Sequence, residues 1–114
     1  MIFTVLKSPL EEREKYKVIL NGRSYIHRME KDNKIVVKGR RYGERVIAKE
    51  DYSVSWRPLI IKPAFFIPGH ITLINQSRTE IYLDGDPFDD IVIGRGKYKL
   101  GLEETVLELI VGRQ

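Results

Sequence analysis

No apolar stretch in this chain runs far before something stops it. Asn21-Gly22, Lys31-Asp32-Asn33, Pro58, Pro63, Pro68, Gln76-Ser77-Arg78, Asp84-Gly85-Asp86-Pro87 and Gly94-Arg95-Gly96 fall between short apolar runs. Glycine admits positive φ, proline fixes φ, and asparagine and aspartate bond their own backbone, so each ends regular structure in its own way. Segments this short suit strands better than helices, and their content agrees. The chain holds 14 Ile, 9 Val and 6 Tyr against 2 Ala. β-branched and aromatic side chains fit a pleated, half-buried surface, while the best helix former is nearly missing. The expected class is all-β: an antiparallel β-sandwich or small β-barrel of about eight to ten strands. At 114 residues the chain can bury one modest core, so residues 1–114 are expected to form a single domain.

Along the chain, Ile2 to Lys7 reads as a first strand. Ser8-Pro9-Leu10-Glu11 matches a helix start, with Ser as N-cap, Pro at the first helical position and Glu three residues after the cap, so one short N-terminal helix is expected. Tyr16–Leu20 and Arg23–Glu30 read as strands joined at Asn21-Gly22, the strongest short hairpin signal. Lys34–Lys38 and Glu44–Lys49 form a second pair around the loop KGRRYGER. Short strands follow at Val54–Trp56, Leu59–Ile61, His70–Gln76, Thr79–Leu83, Ile91–Ile93 and Tyr98–Leu102. The tail ETVLELIV fits a helix through Leu102, Val106 and Ile110, or a strand through Leu107, Leu109 and Val111; the strand is preferred.

There is no cysteine, so neither a disulfide nor a thiolate metal site exists, which fits a reducing, cytoplasmic setting. The opening MIFTVLKSPLEEREKYK lacks the charged lead and apolar core of a secretory signal. The longest apolar region, Pro58 to Asn75, is cut by Pro63, Pro68 and Lys62, so no membrane span and no membrane partner are expected. Few amides (three Asn, two Gln) beside 10 Lys, 10 Arg and 16 acids give a thermophile-like balance.

Charge is uneven. Residues 1–49 hold 13 Lys and Arg against 6 acids, a net of +7, and residues 50–114 hold 7 against 10, a net of −3. Such asymmetry points to an anionic partner, or to a basic half that faces an acidic one. The basic half centres on the predicted hairpin, where Lys34, Lys38, Arg40, Arg41, Arg45 and Lys49 fall on one ribbon and Tyr42 stands at its tip. A ribbon of this kind can neutralise phosphates, and an aromatic beside cations can stack a base. The first functional expectation is therefore a non-enzymatic, weakly sequence-specific nucleic-acid-binding domain that uses residues 34–49.

The alternative is a protein-interaction or assembly subunit, homo-oligomeric, built on the stretch WRPLIIKPAFFIPG at residues 56–69. Proline cannot donate to a ladder, so Pro58, Pro63 and Pro68 push this region to a sheet edge, a bulge or a crossover, and the edge is what this alternative needs. Trp56, Ile60, Ile61, Phe65 and Phe66 are its candidate contact residues, with Phe65 and Phe66 expected on opposite faces, one of them in the core. A second alternative, a metal-dependent hydrolase, rests on Asp84, Asp86, Asp89 and Asp90, whose oxygens suit a hard cation but miss the spacing of a calcium loop. His27 and His70 lie far apart, and no serine sits in a Gly-x-Ser-x-Gly elbow, so neither a catalytic set nor a cofactor is indicated.

Overall fold

In a computed structural model, residues 3–7, 17–20, 22–39, 43–48, 54–102 and 105–112 are described. The first six strands are β1 (Phe3–Lys7), β2 (Lys17–Leu20), β3 (Ser24–Arg28), β4 (Ile35–Gly39), β5 (Gly43–Ala48) and β6 (Leu59–Pro63). The other six are β7 (Ile71–Asn75), β8 (Ile81–Leu83), β9 (Asp86–Phe88), β10 (Asp90–Ile93), β11 (Gly96–Leu102) and β12 (Thr105–Gly112). The all-β expectation holds. The helix expected from Ser8 lies outside the described residues.

Among the described residues two six-stranded antiparallel sheets form. The first runs β2-β1-β12-β11-β8-β9 and the second β10-β7-β6-β3-β4-β5. They share one hydrophobic core. Leu20, Ile81, Leu100, Leu107 and Leu109 come from the first sheet and Ile26, Val37, Leu59, Ile61 and Leu73 from the second. Full burial of one such side chain is worth about 1.5–3 kcal/mol, so this cluster is the main cohesive term between the layers.

The tail is a strand. In β12 the core takes Leu107, Leu109 and Val111, while Val106 is exposed and Glu108 and Ile110 are half-buried. A period of two describes it, and the helical alternative does not.

Asn21-Gly22 does not close a hairpin. Gly22 has the positive φ of 79° that such a turn uses, yet β2 pairs with β1 and β3 pairs with β4 and β6, in the other sheet. The local signal specifies a bend, and the ladders β2 joins at long range specify its partner. Asp84-Gly85 is a two-residue hairpin turn. Both residues have positive φ, 51° and 89°, and Leu83 pairs with Asp86 across it, the type I′ geometry.

The stretch at residues 56–69 is not an edge. β6 is internal, paired with β3 on one side and β7 on the other. The prolines bracket the strand without interrupting it: Pro58 precedes it and accepts the Gln76 amide at 3.2 Å, and Pro63 is its last residue. Ile60 and Ile61 are both buried, so neither is a free contact residue within this chain. Phe65 and Phe66 are both exposed, so neither enters the core. They follow the strand in a hairpin loop, where alternation no longer governs direction.

Candidate functional site

The second sheet turns one face to the core and the other away from it. Cross-strand partners share a face. Ser24, Gly39, Ile61 and Leu73 lie in one such row on the core side. The next row, Lys38, Tyr25, Ile60 and Ile74, therefore lies on the opposite, outer face, where Lys38 is exposed, Tyr25 and Ile74 are half-buried and Ile60 is buried. Lys62, two residues after Ile60, faces outward as well. Arg23 stands one residue before β3, and continuing the register sets it beside Lys62. Its guanidinium carbon lies 5.7 Å from the centre of the Tyr25 ring, a cation–π contact worth about 0.5–1 kcal/mol at an exposed site. Arg23, Lys62, Tyr25 and Lys38 thus occupy adjacent places on the outer face. Glu44 pairs with Lys38 at the edge and is the acid nearest this group in the ladder.

All four belong to the end of the sheet where Gly39 pairs with Gly43. Gly43 has φ of 70°, in the region that lets the chain reverse after a short loop. Arg40, Arg41 and Tyr42, the expected tip of the basic hairpin, lie outside the described residues, as does Lys49. The ribbon itself is present, since β4 and β5 pair from Ile35 to Gly39. Among the described residues its cations do not converge. Lys38 lies on the outer face, whereas Arg45, itself exposed, pairs with Val37, whose side chain enters the core. Lys34 belongs to the opposite turn, where its carbonyl accepts the Met29 amide at 2.9 Å. Five residues of strand separate it from Gly39, about 17 Å at about 3.3 Å per residue.

The loop between β6 and β7 leaves the same end. In the second sheet β6 lies two strands from β4, about 10 Å away. The base of this loop is well held. The Ala64 amide donates to the His70 carbonyl at 3.0 Å, and the His70 amide donates to Ile67 at 3.3 Å. Between them Pro68 fixes one φ and Gly69 takes 82°, the signature of a type II turn. His70 Nδ1–H donates to the Pro68 carbonyl at 3.0 Å. Beyond this frame Phe65 is 90% exposed and Phe66 97% exposed, with Ile67 at 44%. Two phenylalanines left in water forgo roughly 1.5–3 kcal/mol each, and contiguous exposed apolar groups mark a contact surface.

Arg95 completes this end. It follows Gly94, which lies against the His70 ring, and it sits over Gly112. Trp56 does not belong here. It precedes β6, at the opposite end of that strand from Phe65, with the Arg57 guanidinium 5.4 Å from its ring centre.

The acidic stretch from Asp84 to Asp90 is divided. Asp84 is a turn residue whose Oδ1 accepts the Lys99 amide at 2.7 Å; Asp86 is on the first sheet and Asp90 on the second. Among the described residues no three His, Asp or Glu side chains are grouped to hold a metal ion. A polar recess of about 460 Å³ lies where the chain crosses between sheets, lined by Asn75, Ser77, Arg78, Glu80 and Asp89 among others. Ser77 and Asn75 spend their hydrogen bonds on each other and on the Thr79 carbonyl.

Arg23, Lys62 and Arg95 were not indicated by the sequence. The i, i+2 spacing of Arg23 and Tyr25 could have placed that pair on one face. Lys62 and Arg95 join them only through ladders between distant segments. No family model matches the chain, and no curated protein and no solved structure matches it.

Proposed function

We propose that this protein binds nucleic acid through the end of its second sheet where the basic hairpin turns. The carrier is one β-sandwich domain over residues 1–114. The observation that supports the reading is the adjacency of Arg23, Lys62 and Lys38 around Tyr25 on one outward face. Phosphates are the groups such a surface neutralises, so binding is weakly sequence-specific and falls steeply with salt.

The test is a titration of fluorescent DNA and RNA at about 50 and about 200 mM salt, a range over which several phosphate contacts weaken binding by orders of magnitude. Wild type runs beside Arg23→Ser/Lys38→Ser/Lys62→Ser. The expected outcome is a log–log salt slope reduced by about 3, near one per cation removed. An unchanged slope sinks the reading.

One observation favours a second reading. The exposed Phe65, Phe66 and Ile67 suit a protein contact, either with another protein or between copies of this chain. Sedimentation velocity over a wide concentration range tests it, with a lone monomer that Phe66→Ser leaves unaltered counting against self-association.

A further inference from the structure

We infer that the nucleic acid bound is single-stranded and that Phe65 and Phe66 are its stacking residues. This rests on the nucleic-acid reading above and names its substrate class. Three observations carry it. The two rings are almost wholly exposed, yet the loop that bears them is pinned by the Ala64–His70 and Ile67–His70 hydrogen bonds. They are therefore presented on a fixed base. Lys62 lies three residues upstream of Phe65, Arg23 stands beside Lys62, and Arg95 follows the glycine against which His70 packs. Exposed aromatic faces with cations at the same end of the fold are what a flexible strand needs, with bases on the rings and phosphates on the guanidinium and ammonium groups. Last, the β4–β5 ribbon is poorly made for a duplex groove. Lys38 and Arg45 project from opposite faces of it, so one groove wall cannot engage both.

The other occupants fit less well. A second copy or an apolar partner has no use for cations at the base of the loop, where Lys62 and, by register, Arg23 stand. An anionic lipid surface would engage the loop tip, and leaves Tyr25 and Lys38, set back on the sheet face, without a role. A paired duplex keeps its bases stacked on each other and offers the rings nothing.

Fluorescence anisotropy with a labelled pyrimidine-rich 20-mer, free and annealed to its complement, separates these. Wild type is compared with Phe65→Ala/Phe66→Ala and Phe65→Leu/Phe66→Leu. Both positions are exposed, and circular dichroism is the check that each variant folds. The expected result is single-strand binding about tenfold or more tighter than duplex. Both variants should lose about thirtyfold or more on the single strand at an unchanged salt slope, as two stacked bases require. Leucine restores apolarity and not the aromatic face, so rescue by leucine would overturn stacking. Equal affinity for duplex and single strand, untouched by the Phe variants, overturns the inference and leaves nucleic-acid binding intact. No binding to either at the lower salt overturns both. Co-sedimentation with phosphatidylserine vesicles, or a dimer, lost in the alanine variant while oligonucleotide binding persists, reassigns the loop and overturns the inference.

Discussion

His70 Nε2 lies 2.9 Å from the point where a Cβ would stand on Gly94. Real Cβ atoms are not found that close to a neighbour, so a side chain here would force the His70 ring, held by its bond to the Pro68 carbonyl, to move. The Gly94 carbonyl also accepts the Tyr98 hydroxyl at 2.9 Å, which holds the segment in place from the first sheet. Gly94→Ala should therefore displace the His70 ring and loosen the loop that carries Phe65 and Phe66. The expected cost is about 1–3 kcal/mol of stability, the range for overpacking. Urea denaturation checks it, and His70→Ala in the same chain should recover much of the loss, because the two changes share one contact.

Ile61 and Phe65 are four residues apart and should behave oppositely. Ile61→Ala opens a cavity in the shared core and should cost about 2–5 kcal/mol. Phe65→Ala removes a ring that touches little and should stay within about 0.5 kcal/mol. Thermal unfolding of the two variants side by side decides it; equal destabilisation would contradict the internal place of β6 and the exposed place of the loop.

Lys38 and Arg45 carry the same charge on the same ribbon but face different sides. Lys38→Ser should weaken nucleic-acid binding and reduce the salt slope by about 1, while Arg45→Ser should change both far less. If the two variants prove interchangeable in the anisotropy assay, the outward face has no special role.

Asp84 holds a left-handed φ of 51° and accepts the Lys99 amide at 2.7 Å. Asp84→Ala loses the bond and keeps the strain, so a loss of about 1–3 kcal/mol is expected. Asp84→Asn tolerates the same backbone and keeps an acceptor, so it should recover most of that loss. Chemical denaturation midpoints of the pair check the ordering.

Much of the layer structure was legible in the sequence because it is local. Alternation marked β12 through Leu107, Leu109 and Val111, and Asp84-Gly85 marked a turn by its residue types alone. What failed depends on partners far along the chain. Asn21-Gly22 looks the same whether the strand after it returns to the same sheet or enters the other one. Pro58 and Pro63 argue for an edge until both are seen to flank a strand whose own amides remain free to pair. The site is legible in part: Lys38 and its ribbon are visible, while Lys62 comes beside Arg23 only through the ladder of β3 and β6, and Arg95 reaches the same end only through β7 and β10. Charge alone groups Lys34 with Lys38, since a sequence does not show which end of a ribbon each charge occupies.

The pairing of β1 with β12 sets Phe3 opposite Gly112. These residues are 109 positions apart, and at about 5–20 residues per second a ribosome takes roughly 5–20 s to make the second after the first. Throughout that interval β1 can close with β2 alone, and β11 has no β12 to lie against. The shared core, which needs Leu107, Leu109 and Val111, is a late event in the life of each molecule. Nascent chains of this protein should therefore depend on whatever shields apolar strands at the ribosome exit, and removing the last strand should yield aggregates, with no smaller folded unit left behind.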